Sequence, residues 1–215
     1  MKPRRVAAFA ITMGLLWTLF GFGSARAELL KAGDVAPPFS TQAVENGQTV
    51  SIRLSDFLGH KVVLYFYPKD NTPGCTKEAC AFRDGYAKLA RWGIVVLGCS
   101  VDSESSHRAF QQKYKLPFPL LLDPGKSIAK AYGADNGIPI LGLDKRVTYV
   151  IGADGRILKV YPNVDPAIHA DQIIQDLGAY KEPPPSPTPT LAPNPPTPAA
   201  PATPPSRDNG DDSIE

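Results

Sequence analysis

The sequence predicts an α/β fold, in which a central mixed β-sheet carries helices on both of its faces. Two short apolar runs, at 61–67 and 94–101, are rich in β-branched and aromatic residues, which is typical of strands buried on both sides. Between them, over 75–92, apolar side chains recur every three or four residues, as on one face of a helix. A strand, a helix and a strand of these lengths form a βαβ unit with two parallel strands.

The remaining elements are predicted from cap and turn signals. A second helix over 102–114 is capped by Asp102 or Ser103. Asp154-Gly155 marks the turn of a late hairpin. The other predicted elements are a strand at 120–122, a helix at 126–132, the hairpin strands at 146–151 and 157–161, and a final helix at 166–177 that begins with Pro166. This order of elements is typical of a thioredoxin-like α/β sandwich.

The composition excludes several classes of protein. The chain has 215 residues, of which 43% are hydrophobic and 20% charged, and these values exclude a collagen, a wholly disordered chain and a multi-span membrane protein. A net charge of +2, with no basic block after residue 27, gives no electrostatic footprint for nucleic-acid binding. Three cysteines are too few for a dense disulfide scaffold.

The N-terminal residues 1–27 have the pattern of a signal peptide. A basic start is followed by an apolar run, and Ala25-Arg26-Ala27 has the small-x-small form of a cleavage site. We therefore predict an exported protein, in the periplasm or the thylakoid lumen. The alternative is an uncleaved anchor, because the apolar run is about as long as the shortest membrane-spanning helix. Only in that case does the chain contact a membrane.

The C-terminal residues 181–215 are rich in proline, threonine and alanine, and they end in an acidic stretch. Such a segment buries too little apolar surface to fold, so we predict a disordered tail. The tail is either a solubilising segment or a spacer, for example one that attaches the protein to a cell wall. The residues between the two ends, 28–180, form the predicted folded domain, which is large enough for one core.

The chemistry concentrates in the segment after the first buried strand, where ligands bind in open α/β sheets. Thr72 is a good helix cap, Pro73 suits the first helical position, and Gly74 leaves the backbone open. Cys75 therefore falls in the first turn of the helix. There the free N–H groups and the helix dipole favour a thiolate and can hold a small polar reactant against it. The alternative, a structural core cysteine, fits this turn poorly.

The other two cysteines occupy different positions. Cys80 follows Cys75 by five residues, so in an ideal helix their Cα atoms are about 8–9 Å apart, beyond the ~7 Å limit for a disulfide. If the two react with each other, the first turns of the helix must unwind; otherwise Cys80 is a packing residue. Cys99 lies in the second buried strand and is predicted to be a small core residue, with a secondary redox thiol as the alternative.

The pattern Pro68-x-x-x-Thr72-x-x-Cys75 resembles the active-site signature of the peroxiredoxins. Cys80, five residues after Cys75, resembles the subgroup called PrxQ or bacterioferritin comigratory protein. The similarity extends roughly over residues 30–178. The other motifs that carry it are Gly33-Asp34, Ala36-Pro37, Phe39, Phe66-Tyr67, Ser100-Val101-Asp102, Phe118-Pro119-Leu120 and Arg146.

The resemblance implies a peroxidase that reduces hydrogen peroxide and organic hydroperoxides without a metal or a cofactor. Cys75 would attack the peroxide and become a sulfenic acid, which Cys80 would resolve as an intramolecular disulfide. Thr72 would orient the thiolate and the peroxide, Pro68 would shield the pocket, and Arg146 would stabilise the thiolate and the transition state. A thioredoxin-like donor would reduce the disulfide. Because the resolving cysteine lies in the same chain, we expect a monomer.

Other interpretations stay open on the residues alone. Arg146 could be a solvated charge at the entry to a strand. Lys69 and Asp70 could shape the rim of the pocket, but such residues are more often solvated. The histidines are far apart and share no motif with a cysteine or a carboxylate cluster, so a zinc site is not predicted. They are His60, His107 and His169.

Two other classes of function also remain. A thiol–disulfide exchange protein of the same fold, acting outside the cytoplasm, is disfavoured because the chain has no Cys-x-x-Cys pair. A non-enzymatic module, displayed by its tail, would hold its cysteines in a static disulfide.

Overall fold

A seven-stranded sheet forms the centre of the computed structural model, which describes residues 28–135 and 142–178. The strands are β1 (Ser40–Glu45), β2 (Gln48–Arg53), β3 (Lys61–Phe66), β4 (Ile94–Ser100), β5 (Leu120–Leu122), β6 (Val147–Ile151) and β7 (Ile157–Tyr161). The helices are α1 (Pro73–Arg91), α2 (Glu104–Tyr114), α3 (Ser127–Ala131) and α4 (His169–Gly178), with a 3₁₀ turn at Leu54–Phe57. The predicted signal peptide, 1–27, and the predicted tail, 181–215, lie outside the described residues.

The sheet is mixed, with the strand order β2-β1-β5-β4-β3-β6-β7. Its three middle strands, β3, β4 and β5, run parallel to one another, so the predicted βαβ unit around α1 is confirmed. β6 pairs antiparallel with both β3 and β7, which confirms the late hairpin. The predicted thioredoxin-like sandwich is therefore the observed fold.

Each face of the sheet carries its own hydrophobic core. Along β3 the side chains alternate: Tyr65 enters one core and Phe66 the other. The first core packs the sheet against α1, α2 and α4, and the second packs it against α3 and the 3₁₀ turn. Burial of each large apolar side chain stabilises the fold by about 1.5–3 kcal/mol. The two cores fix β3 from both sides, and β3 leads directly into the predicted reactive segment.

Two features differ from the predictions. The hairpin of β1 and β2 is not among the predicted elements, although Asn46 and Gly47, at its turn, have positive φ angles of 49° and 74°. An Asn-Gly pair between two strands is a strong hairpin signal. The last helix begins at His169 rather than at 166. The N–H of Ala167 donates to the Asp165 carboxylate at 2.9 Å, so a turn replaces the first predicted helical residues.

The fold brings three chain segments together at one edge of the sheet. Phe66, the last residue of β3, pairs with Val147, the first residue of β6. The residue before β6 therefore lies beside the loop that leaves β3. β4 ends at the same edge, since it runs parallel to β3. The candidate site is built from these segments and from the first turns of α1.

Candidate active site

The loop from β3 to α1 sets the start of the helix. Asn71 adopts a left-handed conformation (φ 56°), and Thr72 is extended at the N-cap, followed by Pro73 as the first helical residue. The predicted cap position is confirmed, but the Thr72 hydroxyl makes no capping hydrogen bond. It donates instead to the carbonyl oxygen of Lys69 at 3.0 Å, which ties the loop to itself.

Cys75 lies in the first turn of α1, as predicted, with only 1% of its surface exposed. Its sulfur accepts a hydrogen bond from Nη2 of Arg146 at 3.1 Å. The N–H groups of Gly74 and Cys75 belong to the opening of the helix, where no carbonyl of the same helix can accept from them. A guanidinium and a helix N-terminus thus meet at one buried sulfur.

Arg146 reaches the sulfur from the residue before β6, and its side chain is mostly buried. Its other terminal nitrogen, Nη1, donates to Oε2 of Glu78. A Cβ atom on residue 74 would lie 3.3 Å from Nη2, so Gly74 lets the guanidinium approach the helix closely. Arg146 therefore bridges a cysteine and a carboxylate that are three residues apart on α1.

Glu78 belongs to the site, although it is not among the site residues predicted from the sequence. It is fully buried, and burial raises its pKa to about 7, an effect that Arg146 partly opposes. One of its oxygens, Oε1, has no hydrogen-bond partner among the residues that the structure describes. Helical spacing could have indicated this residue, because positions i and i+3 share a face. Glu78 holds the guanidinium in place but retains unmet hydrogen-bonding capacity.

Pro68 and Cys80 occupy the border of the site. Pro68 is half-buried and follows Tyr67 in the loop that leaves β3. Cys80 is a free, half-buried thiol in the same continuous helix as Cys75. The unbroken helix keeps the two thiols apart, as the ideal geometry predicts.

Cys99 lies on the other side of the sheet. It is fully buried in the core that packs against α3, whereas Cys75 belongs to the core that packs against α1. Burial raises the pKa of the Cys99 thiol well above its usual range, and the nearby carboxylates of Asp123 and Asp144 raise it further. These surroundings fit the predicted core residue and keep Cys99 out of the candidate site.

Two polar residues, Asp70 and His107, are buried together. Asp70 is buried, with 5% of its surface exposed, and it is not solvated. His107 is also buried, and its Nδ1 lies 2.8 Å from Oδ2 of Asp70, a contact that no sequence motif indicates. The two residues are far apart in the sequence, and only the packing of α2 against the loop joins them. In the described parts of the chain, no group of three or more potential ligand residues could hold a metal ion.

The chain is similar to known proteins in both sequence and structure. A model of the AhpC/TSA family matches residues 32–160. The chain is 46% identical to the chloroplastic peroxiredoxin Q of Sedum lineare over 150 residues, which are 69% of this chain and 78% of that protein. It is 43% identical to the putative peroxiredoxin bcp of Coxiella burnetii, covering 69% of this chain and 99% of the relative. The crystal structure of a cysteine-to-serine variant of Xylella fastidiosa PrxQ superposes with a TM-score of 0.66 and 30% identity, covering 72% of this chain and 99% of that one.

The comparisons correct the predicted location. Export to a periplasm, a thylakoid lumen or a cell wall is wrong, because the similar plant protein is a chloroplastic peroxiredoxin Q and the similar bacterial protein is a putative peroxiredoxin bcp. The segment 1–27, which suggested export, lies outside the described residues. In residues 28–135 and 142–178, no helix combines the length and the apolar character that crossing a bilayer requires.

Proposed function

The chain belongs to the AhpC/TSA family and is a thiol-dependent peroxidase, and on this premise we propose that Cys75 is the thiolate that attacks the peroxide. The observation that carries the proposal is the hydrogen bond from Arg146 to the Cys75 sulfur at 3.1 Å, in the first turn of a helix. A positive group next to a sulfur favours the thiolate, which is the nucleophilic form.

The first step transfers one oxygen atom. The Cys75 thiolate attacks the terminal oxygen of the peroxide, so that an S–O bond forms and the O–O bond breaks. Sulfur is oxidised by two electrons to a sulfenic acid. The leaving oxygen takes a proton and departs as water or an alcohol. The substrate class is therefore hydrogen peroxide and organic hydroperoxides.

Charge develops on the peroxide oxygens in this step, and fixed donors stabilise it. The Arg146 guanidinium and the opening N–H groups of α1 are such donors, and they are in place before the substrate arrives. The hydroxyl of Thr72 lies at the same helix end and can turn from Lys69 to the peroxide. Pro68, in the loop beside it, limits the access of water. None of these roles needs a metal or a cofactor.

The second step forms a disulfide within the chain. The Cys80 sulfur attacks the Cys75 sulfenic acid, so that an S–S bond forms and the S–O bond breaks. The leaving hydroxide takes the proton of the Cys80 thiol and departs as water. Since both residues belong to one helix, the first turns of α1 must unwind before the sulfurs can meet. Glu78 lies in the part that unwinds. Its buried carboxyl, with one unpartnered oxygen, lowers the cost of leaving the folded position.

The cycle closes with a thioredoxin-like reductant, on which this peroxidase depends. A dithiol of the reductant attacks the disulfide, becomes oxidised itself and returns Cys75 and Cys80 to thiols. We infer that the protein works as a monomer, because both reacting cysteines come from one helix. We also propose that residues 28–180 form the catalytic domain. A disulfide exchange protein and a non-enzymatic module are not favoured by the comparisons.

Stopped-flow mixing of the reduced full chain with hydrogen peroxide tests the proposal. The wild type should consume about one equivalent of peroxide rapidly and gain a disulfide between Cys75 and Cys80. The Cys80→Ser variant should stop at the sulfenic acid, and Cys75→Ser should not react rapidly. If all three proteins react alike, at the slow rate of an ordinary thiol, the assignment to Cys75 fails.

A further inference from the structure

A buried carboxylate lies in the middle of the loop that carries Pro68 and Thr72. Asp70 accepts hydrogen bonds from the hydroxyl of Tyr67 and from the hydroxyl of Ser106, each at 2.8 Å. Burial of a carboxylate is costly unless its oxygens find donors. Both Asp70 oxygens have them, so this loop residue is held by a complete set of partners.

A third partner of the Asp70 carboxylate is His107, on the buried side of α2. Its Nε2–H donates to the carbonyl oxygen of Leu121 at 3.1 Å, because a carbonyl can only accept. Its Nδ1 lies 2.8 Å from the Asp70 carboxylate. Because Nε2 carries a hydrogen, one further proton lies between Nδ1 and the Asp70 carboxyl group and joins the two side chains in a hydrogen bond. Both ring nitrogens of His107 and both oxygens of Asp70 therefore have hydrogen-bond partners, which offsets the cost of burying these polar groups.

The loop backbone is held as well. The N–H of Asp70 donates to Oδ2 of Asp102 at 2.8 Å, and the same oxygen accepts from the hydroxyl of Ser100 at 2.8 Å. The partners of Asp70 thus lie at the ends of β3 and β4 and on α2. None of these partners belongs to the first turns of α1, which must unwind for the disulfide to form.

We propose that Asp70 and His107 are positioning residues, which hold the loop of Pro68 and Thr72 against α2 and so keep the Cys75 pocket in its reactive shape. This proposal rests on the proposed function for its chemistry. Neither residue touches the sulfur; both act through the loop. The pair also sets a limit to the unwinding, because it fixes the loop two residues before the helix cap while α1 opens beyond it.

The test compares Asp70→Ala and His107→Gln with Gln111→Leu in the full chain. Gln111 is the matched control: it is a buried polar residue on α2, one turn after His107, but its amide donates to carbonyls of Val44 and Phe118, away from the loop. Two quantities are measured, the second-order rate constant for hydrogen peroxide and the hydrogen exchange of the residue-70 amide. Thermal melting of each variant reports general destabilisation.

We expect the rate constant of the two pair variants to fall about tenfold or more, since small misplacements of reacting groups cost large factors in rate. Exchange of the residue-70 amide should rise about tenfold, as its segment opens locally. Gln111→Leu should lower the melting temperature but leave both quantities within about twofold of the wild type. Tyr67→Phe and Ser106→Ala, which each remove one donor to Asp70, give smaller effects in the same direction and serve if a pair variant does not fold.

The proposal is overturned if His107→Gln leaves the amide exchange and the rate constant at their wild-type values, or if Gln111→Leu changes them equally. Failure of the proposed function looks different, because the wild type would then react no faster than Cys75→Ser. Even if the proposed function fails, exchange of the residue-70 amide in the variants shows whether Asp70 and His107 hold the loop.

Discussion

Cys75 and Cys99 are both buried, on opposite faces of one sheet, and they differ in what surrounds the sulfur. Only 1% of Cys75 and none of Cys99 is exposed. Cys75 faces a guanidinium at 3.1 Å and the first turn of a helix. Cys99 faces the carboxylates of Asp123 and Asp144 from within a strand, and its pKa is raised.

This difference shows that burial alone does not determine the reactivity of a thiol. Burial disfavours any charge, so both sulfurs start from the same penalty. A cation offsets it at Cys75, whereas anions add to it at Cys99. Burial then becomes an advantage at Cys75, because the interaction with Arg146 is stronger where water is excluded. Variants that change the surroundings of either thiol should therefore change the peroxide reaction to different extents.

The largest effect is expected from Arg146→Gln. This variant removes the cation that distinguishes the surroundings of Cys75 from those of Cys99. The rate constant for peroxide should fall by about 100-fold or more, the usual loss when a donor to a developing oxyanion is removed. Stopped-flow kinetics measures it, with Arg108→Gln as a control on an exposed arginine that pairs with Glu104.

A second variant separates lost catalysis from lost stability. Arg146→Gln leaves the Glu78 carboxylate buried without its cation, whereas Arg146→Gln/Glu78→Gln leaves no unpaired charge. The double variant should recover melting temperature but not rate. Recovery of the rate would contradict the role given to the guanidinium.

The next effect concerns pH and the step that joins Cys75 to Cys80. The pKa of Glu78 is about 7 in the folded helix, because burial raises it from 4.5. The protonated carboxyl therefore stabilises the folded first turns of α1; this contribution is complete below pH 4.5 and is lost as the pH rises through 7. Disulfide formation needs these turns to unwind, so from pH 5 to 8 it should accelerate about tenfold more in the wild type than in Glu78→Gln.

Rapid-quench alkylation of the sulfenic acid intermediate follows this step. Both proteins contain the same Cys75 and Cys80, so the difference between their pH profiles isolates Glu78. Parallel profiles would contradict the account.

A smaller effect is expected when the approach of Arg146 is obstructed. In Gly74→Ala the new Cβ lies 3.3 Å from the guanidinium, which must shift by a few tenths of an ångström. We expect the peroxide rate constant to fall severalfold. Gly85→Ala is the matched control: it lies in the same helix, with its Cβ 3.3 Å from Ile174, and should stay within about twofold of the wild type.

The smallest effect is expected at Cys99 itself. Cys99→Ala removes a buried sulfur from the core that packs against α3 and should lower stability by about 1 kcal/mol through the cavity it leaves. The peroxide rate constant should stay within twofold of the wild type. Thermal melting and stopped-flow kinetics measure the two quantities. A clear fall in rate would make Cys99 a redox thiol.

Local rules were enough to predict the start of the site. Thr72, Pro73 and Gly74 specify a helix start through their own conformational preferences, and they place Cys75 in its first turn. Glu78 could have been predicted from its helical spacing with Cys75 alone, because positions i and i+3 share a face. The hairpin at Asn46 was equally local, and its Asn-Gly turn is a signal that could have been used.

The Asp70 network could not be predicted in this way. His107 is 37 residues from Asp70, and the two meet only because β3 and β4 are parallel and α2, which follows β4, packs against β1 and β5. Likewise, the place of Arg146 depends on the pairing of β6 with β3. From the sequence alone, a solvated Arg146 is the favoured interpretation, and only the family resemblance favours a catalytic one.

The most direct test of the central contrast is to map which sulfur one equivalent of peroxide oxidises. The reduced full chain is mixed with hydrogen peroxide, alkylated after denaturation and analysed by peptide mass spectrometry. We predict a disulfide between Cys75 and Cys80 with Cys99 fully alkylated, and a sulfenic acid on Cys75 in the Cys80→Ser variant. Oxidation of Cys99 to the same extent as Cys75, or a Cys75 that stays reduced, would contradict the account.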